Sequence, residues 1–201
     1  MVFPERLAIA SHNPHKLREL ARICADWPVE WVTAGNSDPK SFPDVEETGD
    51  TYLENALLKA RAVAAALTLP AIADDSGIEV SALGGKPGPR SARYAGADAT
   101  DEQNLVALMR ATAGVPAGGR GARYLCVAAV AWPDGAEMHA EGVCEGSLVG
   151  KRRGSAGFGY DPIFVPAGWD ETMAELTDEQ KDRMSHRGRA FRELRSLLAK
   201  P

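Results

Sequence analysis

Two stretches, GARYLCVAAVAW and AEMHAEGVCEGSLVG, flank Pro133-Asp134-Gly135 in the middle of the chain. That triplet is a strong turn former, so the pair reads as a long β-hairpin and excludes a purely parallel sheet. Upstream the pattern changes. RLAIA reads as a short buried strand, and KLRELARICA carries Leu17, Leu20, Ala21 and Cys24 at helical spacing. Asn13 is placed to cap that helix, and Pro14 suits its first turn. VEWVTA reads as a second strand. Thr51 and Glu54 have capping-box spacing, which predicts a helix from about Tyr52 with Leu53, Ala56, Leu57, Ala60, Ala64 and Leu67 on one face. LPAIA then leads into an acidic turn, DDSG, with IEV continuing as strand. Thr100 and Gln103 cap a further helix through Met109, and a last helix puts Phe191, Leu194, Leu197 and Leu198 on one face. Helices and strands that alternate early, with a hairpin following, predict an α/β protein with a mixed, twisted sheet.

The chain has 201 residues, of which 44% are hydrophobic, enough for one sizeable core and too many for global disorder. Its 23 Lys+Arg against 28 Asp+Glu give a net charge of −5. A net-acidic chain is poorly suited to binding a nucleic acid polymer without sequence preference, because that affinity rests on neutralising phosphates. An anionic ligand must instead be met by local basic groups. Three scattered cysteines, Cys24, Cys126 and Cys144, make neither a disulfide framework nor a zinc knuckle, and an odd number of thiols fits a reducing compartment. MVFPERLAIAS lacks the apolar region of a signal peptide, and no apolar run reaches the length of a membrane span. These features together predict a cytoplasmic protein with no membrane partner.

Four segments could carry chemistry. Ser11, His12, Asn13, Pro14, His15 and Lys16 join a strand to a helix, where amide N–H groups and the positive helix end favour a phosphate. The spacing is not that of a Walker A loop, and a capped helix with a surface lysine is the plainer reading. Two acidic segments, Asp44-Val45-Glu46-Glu47 and Asp74-Asp75-Ser76-Gly77, could hold a hard cation such as Mg²⁺, which takes one or two carboxylates and completes its shell with water and phosphate oxygens. One of two adjacent carboxylates is then left to act as a base on water. Gly157-Phe158-Gly159-Tyr160-Asp161 combines glycines with aromatic faces on which a base could stack, though such aromatics serve as often to anchor a loop. Lys181, His186 and Arg187 precede the last helix and supply cationic partners for phosphate or carbonyl oxygens.

Taken in order, these residues resemble the inosine triphosphate pyrophosphatase family, the Ham-type XTP/dITP diphosphatases. The carriers are Ser11, Asn13 and Lys16; Glu46-Glu47-Thr48-Gly49; Glu54-Asn55-Ala56 with Lys59-Ala60; and Ala73-Asp74-Asp75-Ser76-Gly77. Leu83-Gly84-Gly85 to Ser91-Ala92-Arg93-Tyr94, Gly157 to Pro162 and Ser185-His186-Arg187-Gly188 follow. The resemblance covers nearly the whole chain. It implies one domain of two lobes over residues 1–201, an elongated mixed sheet with a central cleft, and a homodimer. It implies hydrolysis of dITP, ITP and XTP to the monophosphate and pyrophosphate, with one or more Mg²⁺ ions. Asp75 would be the proton acceptor and a metal ligand, with Glu46 the second acidic ligand and Glu47 its rival. Ser11 to Lys16, Ser76 and Lys181 would hold the phosphates and sugar. Phe158, Gly159, Tyr160, Asp161, His186 and Arg187 would form the base pocket. His12 stands where relatives often have glycine, and Pro14 removes one amide donor from the phosphate loop. A nucleotide-binding module without catalysis, or a pyrophosphatase for pyrimidine nucleotides, are the competing readings.

Overall fold

In the computed structural model, which describes residues 3–38 and 41–199, the chain opens with β1 (Arg6–Ile9) and α1 (Pro14–Ile23). The Asn13 side chain caps α1 as its spacing predicts, and Pro14 occupies the first turn, where its missing N–H is not needed. β2 (Glu30–Val32) and α2 (Tyr52–Leu67) follow, and both halves of the Thr51–Glu54 capping box are present. After β3 (Ala71–Val80) come α3 (Asp101–Ala111), β4 (Gly121–Ala131) and β5 (Glu137–Leu148). β6 (Phe164–Pro166), α4 (Asp178–Met184) and α5 (His186–Leu198) complete the chain.

Six strands form one sheet in the order β2-β1-β3-β4-β5-β6. β1 pairs in parallel with both β2 and β3, whereas β5 and β6 are antiparallel, so the sheet is mixed. The turn joining β4 to β5 closes with Trp132 N–H donating to Ala136 O and Gly135 N–H to Trp132 O. Gly135 takes a positive φ of 90°, which is why the Pro-Asp-Gly signal is decisive there.

One expectation is overturned. Asp74-Asp75-Ser76-Gly77 is not a turn but the middle of β3, an unbroken strand of 10 residues. Turn-forming residue types are local preferences, and here tertiary partners override them. Successive strand side chains point to opposite faces, which keeps the two adjacent carboxylates apart and gives each its own surroundings.

The chain resolves into two compact units. The first comprises the residues up to Asp75, Cys126–Gly142 and the residues from Arg187 on; the second comprises Ser76–Leu125 and Val143–His186. In the first, Leu7, Ile72, Val130, Phe191 and Leu194 are among the residues of one core cluster, and Ala8, Val32, Ala60 and Val63 belong to another. The small residues Ala56, Ala60 and Ala64 of α2 are all buried, as the helical periodicity predicts. In the second unit Ile78, Leu108, Tyr124, Phe164 and Met173 share a core. All three cysteines are buried. Among the described residues, no helix is long and apolar enough to cross a membrane.

Candidate active site

In the first unit the chemistry gathers around β3. Asp74 is 2% exposed, and its Oδ2 lies 3.1 Å from Lys16 Nζ and 3.1 Å from Arg187 Nη2. Cys126 Sγ stands 3.9 Å from the same oxygen. Burial alone would raise this carboxyl, but the cations of Lys16, Arg187 and Lys59 outweigh it and hold Asp74 well below the usual carboxylate range. Arg187, 1% exposed, also donates to Glu19, so its guanidinium is locked by two carboxylates. Asp74 is thus held as a carboxylate at neutral pH by its cationic partners.

Asp75 is different. It is 4% exposed, and its Oδ2 accepts a 3.0 Å hydrogen bond from Asn55 Nδ2. Burial pushes this carboxyl up, partly offset by Lys59 and Lys16 and reinforced by the negative charge of Glu47. Lys59 Nζ bonds to Glu47 Oε1 at 2.5 Å and to the Asp74 carbonyl at 2.7 Å. Burial works against the Lys59 charge, yet Asp75, Glu47 and Asp74 together raise its pKa, so it stays an ammonium. The acidic neighbour brought to Asp75 is therefore Glu47, which is half-buried, whereas Glu46 is exposed. Two carboxylates that repel each other supply the hard oxygen donors Mg²⁺ prefers, and a dication would relieve that repulsion. Two carboxylates match the one or two that Mg²⁺ usually takes, and among the described residues no cluster of three or more His, Cys, Asp or Glu side chains surrounds them.

The strand-to-helix loop is half as expected. Asn13 Oδ1 accepts from the N–H groups of His15 (2.8 Å) and Lys16 (3.3 Å), and Asn13 N–H donates to Ser11 Oγ at 3.2 Å. Helix-end amides are therefore already occupied, and a phosphate must be met mainly by side chains. Lys16 is no surface lysine; its side chain is 15% exposed and paired with Asp74. His12 Nε2 lies 3.5 Å from the Pro43 carbonyl, and His15 Nδ1 lies 2.9 Å from Arg18 Nη2.

The aromatic segment belongs to the second unit. Asp161 is buried, and its Oδ2 accepts from Lys181 Nζ at 2.6 Å and from the Phe158 N–H at 3.0 Å. Tyr124 donates to Asp161 Oδ1 at 3.3 Å and stacks on His186 with centroids 4.5 Å apart and planes at 10°. Lys181 Nζ sits 5.1 Å from the Phe158 ring centroid. Tyr160 is a core anchor, its hydroxyl donating to Ser91 O at 2.7 Å, so Phe158 is the half-buried aromatic face of the pair. Gly159 N–H donates to Asp101 at 3.1 Å, and Ser76 is half-buried on β3.

Of the residues the sequence put forward, the structure brings Lys16, Asp74, Asp75 and Arg187 together in one unit, and Phe158, Asp161, Lys181 and His186 in the other. Sequence reasoning gave no role to Asn55, Lys59, Glu19 or Tyr124. Glu54-Asn55-Ala56 with Lys59 stood among the resemblance motifs, so a signal existed for two of the four.

The fold is that of solved Ham1 proteins: a HAM1 protein from Coxiella burnetii aligns over 100% of both chains at 37% identity, with a TM-score of 0.87. The dITP/XTP pyrophosphatase of Methylococcus capsulatus is 48% identical over 195 residues, 96% of each chain. That of Streptomyces coelicolor is 48% identical over 189 residues, 94% of each chain. A model described as the Ham1 family matches residues 7–197, and this chain belongs to that family.

Proposed function

We propose that the protein hydrolyses the non-standard purine nucleoside triphosphates dITP, ITP and XTP to the monophosphate and pyrophosphate. The observation that carries this reading is Asp75: a buried carboxylate, hydrogen-bonded by Asn55 and faced by Glu47, Lys59 and Lys16. The substrate class rests on the names borne by the curated relatives.

In this reading Asp75, with Glu47 taking precedence over Glu46, would hold Mg²⁺, which would supply charge neutralisation and a more acidic water. Asp75 accepts the proton of the water attacking the α-phosphorus. Lys16 and Lys59 offset charge developing on the leaving pyrophosphate. Ser11 and Asn13 hydrogen-bond the phosphate chain, and Ser76 and Lys181 hold sugar and phosphate oxygens. Phe158 offers a ring face to the base, with Asp161 and His186 fixing the pocket around it. Where the site donates to a 6-keto oxygen, an adenine amino group leaves a buried donor unpaired, at about 1–3 kcal/mol. The enzyme acts as a cytoplasmic homodimer on free nucleotides.

A panel of dITP, XTP, dATP, dGTP and dTTP with and without Mg²⁺, read as pyrophosphate release, tests the reading. Mg²⁺-dependent turnover of dITP and XTP, exceeding dATP by roughly 5–150-fold in kcat/KM, is the expected result. Nucleotide binding without turnover would replace the enzyme with a binding module, and preference for dTTP would move it to pyrimidine nucleotides.

A further inference from the structure

Asn55 lies on the first turns of α2 and is 0% exposed. A fully buried amide at a helix position is costly unless all its groups are used. Its Nδ2 donates to Asp75 Oδ2 at 3.0 Å, and its Oδ1 accepts the backbone N–H of Gly49 at 2.8 Å. The Gly49 amide can only donate, so it fixes the amide orientation and turns the NH₂ toward Asp75.

Gly49 closes the segment that carries Glu46 and Glu47. A Cβ there would lie 2.6 Å from Glu54 Cβ and 2.7 Å from Asn55 Oδ1, so only glycine lets the loop approach this closely. Glu54 in turn is fixed by the capping box, its carboxylate accepting from the N–H groups of Asp50 (2.9 Å) and Thr51 (3.0 Å). One side chain therefore touches both carriers of the acidic groups, the loop through Gly49 and the strand through Asp75.

We propose that Asn55 is a positioning residue that sets the acidic loop in register with Asp75, so that both carboxylates meet one divalent cation. The inference rests on the reading of Asp75 as the acidic group of the reaction. Asn55→Asp keeps the size and the bond from Gly49 but turns a donor into an acceptor facing Asp75; Asn55→Ala removes both contacts. Gly49→Ala leaves the amide in place and pushes its oxygen away.

Each variant is measured for melting temperature, for kcat and KM with dITP, and for binding of Mn²⁺ alone to the nucleotide-free enzyme by electron paramagnetic resonance. Expected are folded proteins whose kcat falls, and whose Mn²⁺ affinity weakens, by roughly 10–100-fold, with KM for dITP changed far less. Gly49→Ala keeps the test decisive where an Asn55 variant folds poorly. Folded variants with wild-type kcat and Mn²⁺ affinity would overturn the proposal, as would activity lost only in proportion to the folded fraction. If the wild type proves inert toward dITP while the variants still lose Mn²⁺ affinity, the functional reading falls and the positioning role stands.

Discussion

Asp74 and Arg187, 113 residues apart in sequence, meet in a buried pair in which Nε at 3.3 Å and Nη2 at 3.1 Å point at the same carboxylate oxygen. Because Arg187 sits in the first turn of α5 and Asp74 in β3, this pair and the Arg187–Glu19 contact tie the last helix to the strand and to α1. Asp75, one residue on, takes a hydrogen bond from Asn55 instead, and burial pushes its carboxyl up.

Removing the arginine takes a cationic partner from two buried carboxylates, Glu19 and Asp74, and leaves Asp74 with Lys16. Arg187→Met should cost roughly 3–5 kcal/mol of unfolding free energy at pH 7, measured by urea denaturation. The pH dependence has a definite sign. Asp74 has a folded pKa below its unfolded value, so its stabilisation is complete above about pH 4 and is lost as the pH falls below that. The gap between wild type and Arg187→Met should therefore narrow in acid. An equal gap at pH 7 and pH 3 would show that Asp74 does not depend on this arginine for its charge.

Replacing the proposed base separates binding from chemistry. Asp75→Asn preserves shape and can still accept from Asn55, but it cannot take a proton. Pyrophosphate release from dITP should fall by roughly 10²–10⁴-fold, while calorimetry still detects dITP binding. Near-normal turnover would assign the base elsewhere.

Gly157 has a positive φ of 75°, and a Cβ there would lie 2.1 Å from Asp161 Oδ2. Gly157→Ala should push that carboxylate off the Phe158 amide and off Lys181, weakening the support of the ring. Steady-state kinetics should show KM for dITP rising about tenfold, equivalent to about 1.4 kcal/mol of binding, with kcat affected less. An unchanged KM would detach this segment from nucleotide recognition.

Local signals were the legible part of the fold. Thr51 with Glu54, Thr100 with Gln103, Asn13 before Pro14, and Pro133-Asp134-Gly135 each act within a few residues, and each forms as its chemistry demands. The capping box of Thr177 and Gln180 is an equally local signal, and it starts α4. β3 could not be read this way. Its Asp-Asp-Ser-Gly core is a turn by composition and a strand only because Lys16, 58 residues before, and Arg187, 113 residues after, supply the charges that let Asp74 be buried. That Glu47 rather than Glu46 turns toward the buried side was hidden for a related reason: its partner Lys59 lies one helix away.

The three cysteines lie inside the protein, and burial raises the thiols of Cys24 and Cys126 far from the thiolate form that oxidants and electrophiles attack. Thiolate chemistry at Cys24 and Cys126 therefore depends on the fold opening first.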